Sequence, residues 1–239
     1  MIRLTAVIVF ALVVPITTSG ALAATDPVGH RTITLGHSVD GRAIVAVEIG
    51  DFDAARRTLV VGCIHGNEPA GIAIADQLAR GTPPNELDLW IVPDLNPDGV
   101  VADTRQNAHH VDLNRNFPYR WEPLSGVFYS GPRPLSEPES RIAYRLISRL
   151  RPGVAIWFHQ HLDVVDESGG SVAVERRFAR LVGMRAVRLT REPGSAIGWE
   201  DHLVPSGTAF AVELSAGALD ESSVKRFASA IVAVSQPAG

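Results

Sequence analysis

Hydrophobic and polar positions along this 239-residue chain alternate between two periods. Thr58 to Ile64 is a nearly unbroken apolar, β-branched run, which reads as a strand buried on both faces. Pro69 and the small and apolar residues after it predict a helix from about Ala70 to Arg80. Two further short runs, Leu87 to Val92 and Val154 to Phe158, read as buried strands, as does Thr208 to Leu214. Ile142, Leu146 and Leu150 recur at helical spacing, and Ser136-Glu137-Pro138-Glu139 before them predicts a capping box with Ser136 as N-cap. Glu175 to Val182 predicts a short helix, and Asp220 to Val234 a final amphipathic one. Ahead of all these, Thr32 to Leu35 and Ala43 to Ile49 flank Asp40-Gly41, a turn dipeptide, and predict a hairpin. Strands alternating with helices predict a single α/β domain. Its central sheet should be mixed but mostly parallel, with helices on both faces and antiparallel strands at one edge. Residues 93–135 carry many Pro, Asn, Asp and Gly with little periodicity, so a long ordered surface excursion is expected there; one of that length in a compact domain usually has a function.

Composition narrows the picture at the amino end. Arg3, an apolar stretch from Leu4 to Val14, and Ala21-Leu22-Ala23 form the three parts of a cleaved secretory signal, which the sequence places at residues 1–23, with a retained amino-terminal anchor as the alternative. The apolar run is short for a membrane span. A mature catalytic domain of residues 24–239 and an extracytoplasmic location follow as expectations, without stable membrane insertion after cleavage. Removing the segment takes the net charge from -4 to -5, which argues against phosphate-backbone binding and so against a nucleic-acid partner. Cys63 is the only cysteine, so no intrachain disulfide can form, and its place in an apolar run predicts a small buried hydrophobe.

The chemistry starts where the first buried strand ends, at His65-Gly66-Asn67-Glu68. A His and a Glu at i and i+3 can converge on a point outside the carboxyl end of a sheet, where open α/β folds bind ligands. With one distant His they make a two-histidine, one-carboxylate zinc site with a position left open for water. Alone, His-x-x-Glu is equally compatible with two unrelated polar residues. Further motifs follow in order: Asn96-Pro97-Asp98-Gly99, Arg105-Gln106-Asn107, Asp112-Leu113-Asn114-Arg115-Asn116-Phe117, and Ser136-Glu137-Pro138-Glu139. Trp157-Phe158-His159-Gln160 and Phe210-Ala211-Val212-Glu213-Leu214 complete the set.

This ordered set resembles the zinc metallocarboxypeptidases of the carboxypeptidase A type, the M14 family, and looks most like its compact bacterial branch, which includes murein peptide amidases. The resemblance covers essentially the whole mature chain. It implies one Zn2+ ion held by His65, Glu68 and His159. His161 would share the face of His159 if the strand continued, but His159 directly follows the apolar run and aligns with the family's third ligand. Glu213 matches the general base, a carboxylate that takes a proton from the reacting water and passes it to the leaving amine. Arg105 matches the arginine that steadies the oxyanion, and Asn114 and Arg115 the pair that grips the substrate's terminal carboxylate. Asp112 matches an acid that orients a ligand histidine.

Three departures stand out. Asn67 occupies the position where larger members often carry an arginine, and no residue matches their mobile tyrosine, although Trp199 lies where a pocket or lid aromatic would sit. His109-His110 falls where bacterial relatives more often show Asn-Gly, and adjacent residues cannot share a strand face, so the pair reads as loop. The resemblance implies an exported hydrolase that cleaves an amide bond beside a residue bearing a free carboxylate. Murein peptides with a γ-D-glutamyl-diaminopimelate bond lead as the substrate class, with general peptides close behind. An acylase of the desuccinylase or aspartoacylase type is disfavoured by the intact 112–117 and 136–139 segments. A non-catalytic zinc-dependent peptide-binding module is disfavoured by the retained Glu213.

Overall fold

Alternate residues of the central strands face opposite layers, and the two layers differ in what they carry. The computed structural model describes residues 28–236 except 83, 168 and 191, so the signal segment expected at 1–23 lies outside the described residues. Eight strands form one sheet: β1 (Val28–His37), β2 (Ala43–Asp51), β3 (Arg57–Val61), β4 (Asp88–Val92), β5 (Val154–Gln160), β6 (Val164–Asp166), β7 (Arg185–Val187) and β8 (Thr208–Leu214). Their order is β1-β2-β4-β3-β5-β8-β6-β7. The central β4, β3, β5 and β8 run parallel, while β1, β2 and β4 pair antiparallel at one edge and β6 pairs antiparallel with β8. The expected mixed, mostly parallel sheet and its edge hairpin are both present.

Helices α1 (Ala70–Ala79), α4 (Val172–Val182) and α6 (Glu221–Ser235) cover one face, burying Val60, Ile156, Phe158, Phe210 and Val212. Helices α3 (Pro138–Leu150) and α5 (Ala196–Leu203) cover the other, over Leu59, Val61, Ala155, Trp157, Ala209 and Ala211. Burying each large side chain in these layers contributes about 1.5–3 kcal/mol. No helix among the described residues is long and apolar enough to cross a membrane.

The structure departs from the sequence reading at several boundaries. The first strand stops at Val61 and leaves Gly62 to Ile64 as an extended lead into the His65 turn. The capping box at Ser136 does not form. Helix α3 starts at Pro138 with Glu137 as N-cap, Ser136 Oγ donates to Glu137, and Glu139 accepts instead from Val39 N and Asn107 Nδ2. Long-range partners for Glu139 outcompete its local cap. Helix α5 was not anticipated, and neither were β6 and β7, which are three residues each and too short to show a period. The 93–135 excursion contains helix α2 (Pro97–Ala102), whose N-cap Asn96 accepts from Gly99 N.

Candidate metal and catalytic site

Register brings two of the key residues together. In the parallel pair β5–β8, His159 lies opposite Glu213, and both continue the rows of Trp157 and Ala211 onto the face that carries the long excursion. The strands' carboxyl ends therefore point these side chains out of the sheet on the same side.

His65 and Glu68 reach the same place from the turn between β3 and α1. Asn96 braces that turn from behind, donating through Nδ2 to Ile64 O. Gly66 makes the turn passable: a Cβ there would lie 1.9 Å from the Gly99 carbonyl carbon, so only glycine admits helix α2 this close. Thus the Asn-Pro-Asp-Gly motif supports the His-Gly-Asn-Glu motif.

Ligand-type atoms of His65, Glu68 and His159 all lie within 4.8 Å of one another, the only such trio of His, Cys, Asp or Glu among the described residues. The two Nδ1 atoms are 3.1 Å apart, and each is 2.9–3.0 Å from Glu68 Oε2. On the far side of its ring, His65 Nε2 sits 3.1 Å from Asp112 Oδ1. A carboxylate only accepts, so Asp112 holds the His65 proton on Nε2 and turns the Nδ1 lone pair toward Glu68 and His159. Three basic atoms converge here, with only the Gln160 N–H besides them, at 3.3 Å from Glu68 Oε2. A divalent cation satisfies such a donor set, and nitrogen with carboxylate oxygen suits zinc.

Charges within the cluster are strongly coupled. Burial disfavours the charged imidazole of His65, but Asp112 and Glu68 outweigh it and raise its pKa. Burial likewise opposes ionisation of Glu68 and Asp112. The His159 and His65 rings beside it hold Glu68 well below the usual carboxylate range, while the charge and hydrogen bond of His65, helped by Arg105, do the same for Asp112.

Around the trio opens a cleft of about 440 Å³. Arg105, Asn114, Arg115 and Glu213 all line it, so every sequence-predicted site residue either lines the cleft or, as with Asp112, backs it. Arg105 Nε donates to Asp112 Oδ2 at 2.9 Å and one terminal nitrogen to Glu68 Oε1 at 3.1 Å. Asp112 thus fixes an arginine and a histidine at once. Asn114 Oδ1 accepts from Ala196 N at the start of α5, which pins the opposite wall to the 112–116 segment. Gly194 completes that junction. It adopts φ +67°, and a Cβ would lie 2.3 Å from Arg115 O.

His161 is exposed on the cleft rim just past the end of β5, outside the trio. His109 pairs instead with Glu137 at 2.7 Å, and His110 is exposed at φ +57°, so both are loop residues as expected. Cys63 is fully buried, and burial pushes its thiol pKa up, consistent with a packing role. Trp199 corrects the expectation of a pocket or lid aromatic. It is 4% exposed and stacks on Phe117 and Tyr144 inside the core, because α5 turns it toward the sheet. No tyrosine lines the cleft among the described residues. The wall residues Asp166, Thr190 and Glu192 were missed, for they come from a three-residue strand and an irregular segment; Gly194 was the one local sign of a tight structure there.

Comparison with known proteins agrees with this geometry. Murein peptide amidase A of Escherichia coli (strain K12) is 32% identical over 145 residues, 53% of this chain and 60% of that protein. Carboxypeptidase SOL1 of Arabidopsis thaliana is 33% identical over 111 residues, 40% of this chain and 23% of that protein. The chain thus spans less than two thirds of the length of either relative. Among solved structures, the murein-tripeptide amidase MpaA from Escherichia coli O157 superposes with a TM-score of 0.73 at 24% identity, over 87% of this chain and 93% of that one. The carboxypeptidase A from Helicoverpa armigera gives 0.74 at 18% identity, over 87% and 68%. Both show the same fold. A family model for Peptidase_M14, zinc carboxypeptidase, matches residues 18–165, more than half of the sequence. With the motif order, the sheet and the ligand trio in agreement, this chain belongs to the Peptidase_M14 zinc carboxypeptidase family.

Proposed function

We propose that this protein is an exported zinc-dependent hydrolase that cleaves an amide bond beside a terminal residue bearing a free carboxylate. The observation that carries the reading is the convergence of His65, Glu68 and His159 in one cleft, with Glu213 in register beside His159 and Arg105 and Arg115 on the same walls. The trio would hold the zinc ion, which would polarise the amide carbonyl and acidify water. Asp112 keeps the His65 tautomer that leaves the Nδ1 lone pair free to bind a cation. Glu213 accepts the proton of the attacking water and returns it to the departing amine nitrogen. Arg105, fixed by Asp112 and Glu68, places positive charge where the carbonyl oxygen becomes anionic. Asn114 and Arg115 receive the substrate's terminal carboxylate, the guanidinium offering paired donors.

For substrate, murein peptides ending in a γ-D-glutamyl-diaminopimelate bond are favoured over general peptides. The relatives named murein peptide amidase support this, and so does the wall carrying Asp166 and Glu192. Diaminopimelate carries a second ammonium group beside its distal carboxylate, and the exposed Glu192 on this wall can meet that ammonium. The amino-terminal sequence supports export, which would place the enzyme with the cell wall.

Glu213→Gln tests the mechanism. Zinc content measured by plasma emission should stay at one ion per chain while turnover of the cleaved peptide falls at least about 100-fold. Retained turnover would remove Glu213 from the proton transfer, and lost zinc would show it to be a ligand.

A further inference from the structure

Phe128 is an unusual residue for its place. It sits on a single 3₁₀ turn, Gly126–Phe128, inside the long excursion, is 46% exposed, and belongs to neither apolar core. Its ring contacts instead the two arginines of the cleft: the guanidinium carbons of Arg105 and Arg115 each lie 5.4 Å from its centroid. Two cations sharing one neighbour repel each other, and an aromatic face attracts both.

The arginines are not held equally. Arg105 has two charge-assisted bonds, to Asp112 and Glu68. Arg115 has one bond, to Asn114 O at 2.9 Å, and a distant Glu192 at 3.9 Å. Its Nε is buried with no hydrogen-bond partner among the described residues. The Phe128 face is therefore a main restraint on the Arg115 guanidinium. The turn that carries Phe128 is itself tied to the same segment, by Gln106 Nε2 to Gly126 O at 3.0 Å and by Asp112 N to Tyr129 O at 2.8 Å. Ring and arginines therefore share one frame.

We propose that Phe128 is a positioning residue that holds Arg115 beside Arg105, at the spacing in which one cation meets the terminal carboxylate of a substrate and the other its reacting carbonyl. This rests on the functional reading above. The cation–aromatic contact acts on ground-state carboxylate binding, because Arg105 stays braced without it. Loss of the ring therefore weakens binding more than turnover.

The test uses the zinc-loaded chain and whichever of two substrates it cleaves, a plain L-peptide or the tripeptide L-Ala-γ-D-Glu-meso-diaminopimelate. Phe128→Ala should raise KM about fivefold to tenfold and leave kcat within about twofold. Phe128→Tyr should restore KM, and Phe128→Leu, which keeps apolar bulk without the π face, should not. In a Glu213→Gln background, calorimetry should show Phe128→Ala weakening the bound peptide by the same factor, with no effect on the analogue whose terminal carboxylate is amidated. An unchanged KM in Phe128→Ala, or full rescue by Phe128→Leu, would overturn the proposal. So would a loss shared equally by the amidated analogue. If the unmodified chain neither cleaves either peptide nor, as Glu213→Gln, binds one, the functional reading itself fails and takes the role of Phe128 with it.

Discussion

At the scale of single residues, Asp112 does the most with the least. Fully buried, it accepts from His65 Nε2, Arg105 Nε and Asn114 N, so one carboxylate orients a candidate ligand, a candidate oxyanion donor and the segment proposed to grip the substrate's carboxylate. Asn at this position keeps the shape but removes the charge that offsets Arg105 and stabilises the His65 proton on Nε2. Asp112→Asn should therefore lower zinc affinity about 10- to 100-fold, read by competition with a chelating dye. Unchanged affinity would show that the turn at His65 alone sets the ring. The residue scale also explains why most of the site could be read from sequence. His65, Glu68, Arg105, Asp112 and Asn114 act through short motifs whose members are neighbours in the chain. Phe128 could not be read this way, since its importance comes from two arginines that approach it only after the excursion folds back.

At the scale of elements, legibility follows length and period. The central strands were visible as unbroken apolar runs, and helices α1, α3 and α6 because ten or more residues follow one pattern. Helix α2 had a readable start in Asn96-Pro97, an N-cap followed by proline at N1, but six residues show no periodicity. Helix α5 was hidden differently. Its buried positions include Glu200, a polar residue that breaks the apolar stripe. Glu200 is fully enclosed, accepts from Trp157 Nε1 at 2.9 Å and leaves its second oxygen without a partner among the described residues. Burial pushes its pKa from 4.5 up to about 8, with Asp201 adding to the rise and the Trp157 bond opposing it. The folded chain therefore holds a proton that the unfolded chain releases above pH 4.5. Its stabilising contribution is complete below that pH and is lost as pH rises toward 8. Thermal melts should show Tm declining from pH 5 to 8, and Glu200→Gln, which keeps an acceptor for Trp157, should make that decline shallower by several degrees. Equal slopes in the two proteins would mean that Glu200 is ionised in the fold.

For the whole molecule, the sheet supplies the site by ending several strands at one edge. The β3 exit provides His65 and Glu68, β5 provides His159, and β8 provides Glu213, while the 93–135 excursion closes over them with two arginines. A metal that draws on two separate strand exits should tie them together, so binding and stability are linked. Chelation with a strong zinc ligand should lower Tm by several degrees and abolish turnover, and stoichiometric zinc should restore both. A Tm indifferent to zinc would argue against a shared ligand set. The most direct test of the account is product analysis by mass spectrometry. Zinc-loaded protein of residues 24–239 is offered L-Ala-γ-D-Glu-meso-diaminopimelate and, separately, a plain L-peptide. Free diaminopimelate is expected from the first, with no release of it by Glu213→Gln. Release of a C-terminal amino acid from the L-peptide alone would move the protein to general peptide turnover. No product from either, with zinc bound, would contradict the assignment of this cleft as a hydrolytic site.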